Sequence, residues 1–109
     1  MQKVEEYTES IIDNFEKRME NQGHSDKVDP FWIHGLRYHA KQIDKELETC
    51  NLDEVILHCM RFEFNQAALS LSMTRKGVEG MPGDLMFKEQ IITKLVAQGL
   101  WNNCNCTRN

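Results

Sequence analysis

The chain reads as an all-α domain, a four-helix antiparallel bundle with its third helix at the centre. Three observations predict this. Apolar residues recur at three- and four-residue spacing through most of the 109 residues, the period of an amphipathic helix. Start and stop residues stand where those stripes begin and end. Strand-like alternation is missing throughout. One domain is expected over residues 1–101, with a flexible polar tail over 102–109.

The first helix is expected from about Gln2 to Asn21. Val4, Tyr7, Ile11, Phe15 and Met19 form its buried stripe, and Glu5, Glu9, Asp13, Glu16 and Glu20 a second, acidic one. Asn21, Gln22 and Gly23 supply the stop. After a polar connection, Asp29 caps a second helix and Pro30 suits its first position, where no N–H is needed. Its core stripe is Trp32, Leu36, Ala40, Ile43, Leu47 and Cys50, with His39 at the edge and Arg37, Lys41, Asp44 and Lys45 facing away.

Asn51 caps the third helix, with Glu54 placed to close a capping box. The short join makes helices two and three antiparallel neighbours. From Leu52 to Thr74 there are two apolar faces. Leu52, Ile56, Met60, Phe64, Ala67 and Leu71 make the broader one, read as the core face. Val55, Phe62, Leu69 and Met73 make a narrower one nearly opposite, read as surplus to a small bundle and hence as a protein interface. A helix apolar on two sides is enclosed on two sides. The glycines and proline of RKGVEGMPG then mark a loop. Asp84 is expected to cap a fourth helix through about Gln98, with Leu85, Ile91, Ile92, Leu95 and Val96 inward and Gly99 as its stop.

Composition narrows the function. A net charge of −4 and a pI near 5.5 argue against a nucleic-acid binder, which needs a concentrated basic face. No apolar run is long enough for a bilayer, and the acid-rich N-terminus lacks a signal peptide's apolar core. The chain is therefore read as cytoplasmic, with its four cysteines as reduced thiols.

Several residues carry possible chemistry. Glu63 projects to within roughly 60° of the centre of the broad apolar face, where a carboxylate must be paired, protonated or open to a cavity. A ligand pocket there would use Glu63, His39, Trp32 and Arg61; the plainer alternative is a glutamate satisfied at the rim. Cys104 and Cys106 form a CxC pair that could share a zinc ion, but tetrahedral zinc needs two further ligands and no partner motif supplies them. Glu6-x-x-Glu9 has no facing carboxylate set to hold magnesium, Glu-x-x-His pairs are absent, and the glycines at 77, 80 and 83 lack the ending of a phosphate loop.

The sequence thus predicts a non-enzymatic interaction protein with no cofactor: a cytoplasmic homodimer that binds another macromolecule as a regulator or inhibitor, in the manner of phage or mobile-element accessory proteins. The alternative is a small-ligand binder or minor enzyme with its pocket around Glu63 and His39.

Overall fold

A computed structural model describes residues 3–78 and 89–104, the side chains of Glu89 and Gln90 apart. It is all-α and bundle-like. Helices α1 (Lys3–Asn21), α2 (Pro30–Glu48), α3 (Leu52–Arg75) and α4 (Glu89–Cys104) follow in order, with one 3₁₀ turn at Ser25–Lys27. Among the described residues no helix is long and apolar enough to cross a membrane.

The helix ends form by local chemistry. Asp29 accepts a hydrogen bond from the Phe31 amide at 2.9 Å, and Asn51 accepts one from the Glu54 amide at 3.4 Å, so both side-chain caps are in place. The expected capping box does not close, because the Asn51 amide donates to Glu46 and the Glu54 carboxylate lies against His58. At the other ends of α1, α2 and α3 the chain makes the same double return. His24 donates to the Met19 carbonyl, Asn51 to Glu46, and Val78 to Met73, each the six-to-one bond of a Schellman end. That turn needs one residue at positive φ. Gly23 and Gly77 fill the position at two ends, but Cys50, at φ 56, fills it at the third. A side chain there costs about 1–2 kcal/mol, and the cysteine's bonding partner is described below.

Helix α2, not α3, is the element that meets all the others: it packs on α3, α1 and α4. Its buried seam is Ile33, Leu36, Ala40, Ile43 and Leu47. Facing it are Val4, Ile12, Phe15 and Met19 of α1, Val55, Phe62, Leu69 and Met73 of α3, and Ile92 of α4. Tyr7 and Ile11, expected inside, are only partly buried against this core, and Thr8 and Ile12 take the central places.

Asp44, expected to face solvent, is buried on α2. Its two carboxylate oxygens accept from the amides of Val4 at 3.1 Å and Glu5 at 2.8 Å. These belong to the first turn of α1, whose N–H groups have no partner within their own helix. A residue forty positions away in sequence therefore caps α1. Burial pushes the Asp44 carboxyl above its usual range while the two amides pull it back. Arg37 also joins the two helices through Glu9 at 2.8 Å and Glu16 at 3.5 Å, a half-exposed link that contributes little.

Helix α4 departs furthest from expectation. Asp84 and Leu85 lie outside the described residues, as does the loop from 79 onward. The helix passes through Gly99 rather than ending there, because α4 lies tight on α2. A Cβ at Gly99 would stand 2.8 Å from Leu47 Cδ1. The turn from Asn102 to Cys104, expected in a loose tail, is helical. Asn103 donates to the Leu47 carbonyl at 3.2 Å, and Cys104 is disulfide-bonded to Cys50. Cys50 is thus neither a free thiol nor a small core hydrophobe. It pins the end of α4 to the corner between α2 and α3.

Candidate docking site

The two apolar faces of α3 are reversed relative to the sequence reading. Val55, Phe62, Leu69 and Met73, expected at an interface, are at most 1% exposed within this single chain. Leu52, Ile56, Met60, Phe64 and Leu71, expected in the core, are 50–65% exposed. The reason lies in the neighbours. Among the described residues α3 packs substantially on α2 alone, so only one of its faces can be covered.

The face that won runs Val55, His58, Phe62, Asn65, Leu69, Met73, all buried. This is a near-heptad seam that admits two polar residues because each finds a partner. His58 Nδ1 lies 2.9 Å from His39 Nδ1 on α2, and its Nε2 lies 3.6 Å from Glu54. A proton on His58 Nε2, toward the carboxylate, leaves Nδ1 to accept from His39. Burial, then the charges of His58 and Arg61, hold the His39 imidazole below its ordinary value. Asn65 donates to the Arg61 carbonyl at 2.7 Å and lies across from Gly35. A Cβ on Gly35 would fall 2.3 Å from Asn65 Oδ1, so this close approach of α2 to α3 depends on glycine there.

The outer face of α3 and the first half of α2 enclose a shallow groove of about 640 Å³. Phe31, Trp32, Tyr38, Met60 and Phe64 supply its apolar walls, and Arg61, His34, His39 and Asn65 its polar groups. Phe31 and Phe64 stand edge-on to the Trp32 ring, at 4.8 Å and 6.2 Å between centroids. Trp32 and Phe64 also wall a second hollow of about 470 Å³ that continues toward the end of α3, past Ala68 and Leu71 to Arg75 and Lys76. Neither hollow has an aspartate or glutamate in its lining, in a chain whose acids outnumber its Lys and Arg residues by 17 to 13.

Three of the four residues expected in a ligand pocket, Trp32, His39 and Arg61, therefore do meet in one groove. Glu63 does not line it. It is exposed on α3, where a carboxylate needs no partner because the face it shares turned outward. The His39–His58 contact joins residues on two helices, and neither helix's own pattern shows it. The available signal for the burial of His58 was its three- and four-residue spacing from Val55 and Phe62.

The remaining thiol chemistry is modest. Cys104, expected as a reduced thiol and weighed as half of a zinc-sharing pair, is consumed by its bond to Cys50, and Cys106 lies outside the described residues. Among the described residues no group of three or more His, Cys, Asp or Glu side chains could hold a metal ion. Burial, and then the Glu63 charge, push the Cys59 thiol up to about 11, which leaves it protonated and unreactive near neutrality. No family model, curated protein or solved structure matches this chain.

Proposed function

We propose that this chain is a small, non-enzymatic protein-interaction module that forms a homodimer and acts as a regulator or inhibitor of another macromolecule, of the kind found among phage and mobile-element accessory proteins. One observation carries the reading. Five large hydrophobic side chains lie half or more in water along a single face of α3. Together they leave roughly 600 Å² of surface open, as much as the largest patch of an ordinary monomer. Phe31 and Tyr38, exposed beside them, bring the total to roughly 900 Å², comparable with one side of a stable protein complex. Leaving that much apolar surface in water is unfavourable, and a partner removes the cost.

Light scattering across a range of concentrations tests this. The wild type should be dimeric, and Met60→Glu with Phe64→Glu should give a folded monomer. A wild type that stays monomeric at the highest attainable concentration would refute the dimer.

The cytoplasm is the compartment this reading assumes. The Cys50–Cys104 bond pulls the other way, since disulfides persist mainly in oxidising compartments. Thiol titration of protein quenched directly from cells decides between them.

The second reading, a small-ligand binder, is favoured by the meeting of Trp32, His39 and Arg61 in the first groove. Such a ligand would be an apolar anion, to suit aromatic walls and a lining without carboxylates. Quenching of Trp32 fluorescence by an aromatic sulfonate, abolished by Arg61→Leu, would support it.

A further inference from the structure

Building on the homodimer reading, we propose that the occupant of the groove is α3 of a second copy, packed antiparallel about a two-fold axis near the level of Phe62.

The apolar pattern of the outer face supports this first. Its residues are Leu52, Ile56, Met60, Phe64, Ala67 and Leu71. Reversed against itself, the stripe matches: Leu52 meets Leu71 of the other copy, Ile56 meets Ala67, and Met60 meets Phe64. The three pairs fall at nearly one register, so one axis satisfies them all. The face is self-complementary, as a two-fold interface requires. It pairs large with small at Ile56–Ala67, which lets the two helices approach closely.

Shape supports it second. The two halves of the face differ. The second hollow lies along the latter part of α3, from Phe64 to Arg75, walled by Trp32 of α2, while the first spans the middle of the helix, from Leu57 to Asn65. The opening turns present Leu52 and Ile56 as exposed knobs. Antiparallel packing seats the knobs of each copy in the second hollow of the other, twice.

Charge supports it third. The first turn of α3 carries Asp53 and Glu54, and Arg75 stands in the last, followed by exposed Lys76. The hollow at the basic end contains no carboxylate of its own. In the antiparallel pair the acidic turn of each copy falls beside the basic end of the other. Asp53 and Arg75 are offset by roughly 6 Å along the axis. Helical side chains lean toward their own N-terminus, which brings these two toward each other in an antiparallel pair. A parallel pair would instead set acid against acid and base against base.

Two charge-reversed variants test the arrangement, Asp53→Lys and Arg75→Glu, which leave the Glu54–His58 contact and the bond from Lys76 to the Lys27 carbonyl in place. Circular dichroism checks that each stays folded, and sedimentation measures association. Each variant alone should dimerise about tenfold more weakly than the wild type, since attraction becomes repulsion at both ends. An equimolar mixture should recover the wild-type affinity, because both ends of the mixed dimer regain opposite charges. If the wild type dimerises and each variant does so equally well, the antiparallel register is wrong while the dimer stands. If the wild type does not dimerise at all, both readings fall.

Discussion

Helices α2 and α3 are neighbours in one hairpin, yet they are buried by different rules. Helix α2 is covered by three partners and keeps even a carboxylate, Asp44, inside. Helix α3 carries the larger share of big apolar side chains but is covered by α2 alone, and leaves five of them in water. A helix is therefore buried according to how many neighbours reach it. Its own hydrophobic content sets only what remains exposed when too few do. The most direct way to break this comparison is to truncate one phenylalanine on each face of α3. Phe62→Ala, on the side toward α2, should cost about 3–5 kcal/mol in urea unfolding. Phe64→Ala, two positions away on the open side, should change stability in dilute protein by no more than about 0.5 kcal/mol. Equal losses at the two sites would mean that the outer face is covered within the chain.

The second side of α2 is held by α4, and there the disulfide matters more than the apolar contacts. Ile92 is buried, but Leu95, Val96 and Leu100 are only partly so. The bond closes a loop across 54 positions. In the chain-entropy account a loop of that length stabilises by about 4 kcal/mol. Cys104→Ser should cost about 2–4 kcal/mol, with faster amide exchange in α4 and little change in the α2–α3 hairpin. Protection of α4 that survives both this variant and reduction would show that packing alone holds it.

The same comparison separates what could be read in the sequence from what could not. The ends of α1 and α2 and the start of α3 were legible because capping is local: Asp29 with Pro30, Asn51, and Gly23 act within a few residues, whereas the glycine stop expected at Gly99 is overridden by the packing of α4 on α2. The number and order of helices followed from those signals. The inward face of α3 was not legible, because both of its faces satisfy helical periodicity. The choice between them depends on contacts with α2 and on the absence of a second neighbour. Apolar bulk favoured the face that ended outside. The buried seam contains His58 and Asn65, whose partners, His39 and the close approach over Gly35, lie on another helix. Asp44 looked like one more solvated charge between lysines, since nothing nearby reveals that it caps a helix forty residues earlier. The Cys50–Cys104 pairing has the same character, because cysteine connectivity is a property of the fold. Trp32, His39 and Arg61 were found together because helix two was correctly paired with helix three. Glu63 was misplaced because its significance rested on the wrong face being inside.

The third side of α2 faces α1, and Asp44 is its polar anchor. Asp44→Ala leaves the Val4 and Glu5 amides without acceptors and should cost about 1–2 kcal/mol. The first turn of α1 should lose amide protection before the rest of the helix. Asp44→Asn keeps one carbonyl acceptor and should cost less. An alanine variant as stable as the wild type would mean that water caps α1 equally well.

The smallest expected effect sharpens the comparison at the seam between α2 and α3, where the main polar contact is a pair of imidazoles. His39 and His58 meet at 2.9 Å, with Glu54 behind His58, Arg61 acting on His39 as a nearby positive charge, and Tyr38 edge-on to both rings. One shared proton suits this geometry. A second positive charge does not, although Glu54 offsets part of it. Burial, His58 and Arg61 all hold His39 below its ordinary value of 6.5. The folded protein then binds fewer protons at this site than the unfolded chain as pH falls through that value. Stability rises with pH wherever the unfolded state holds more protons, so this contribution is intact above about pH 7 and is lost as acid is added. The urea midpoint should therefore fall modestly between pH 7.5 and roughly 5.5, a window above the ordinary carboxylate range. His39→Gln cannot take up a proton and should flatten that slope while leaving the outer face of α3 as exposed as before. A slope unchanged by His39→Gln would assign the pH dependence to another group and leave the imidazole pair as packing alone.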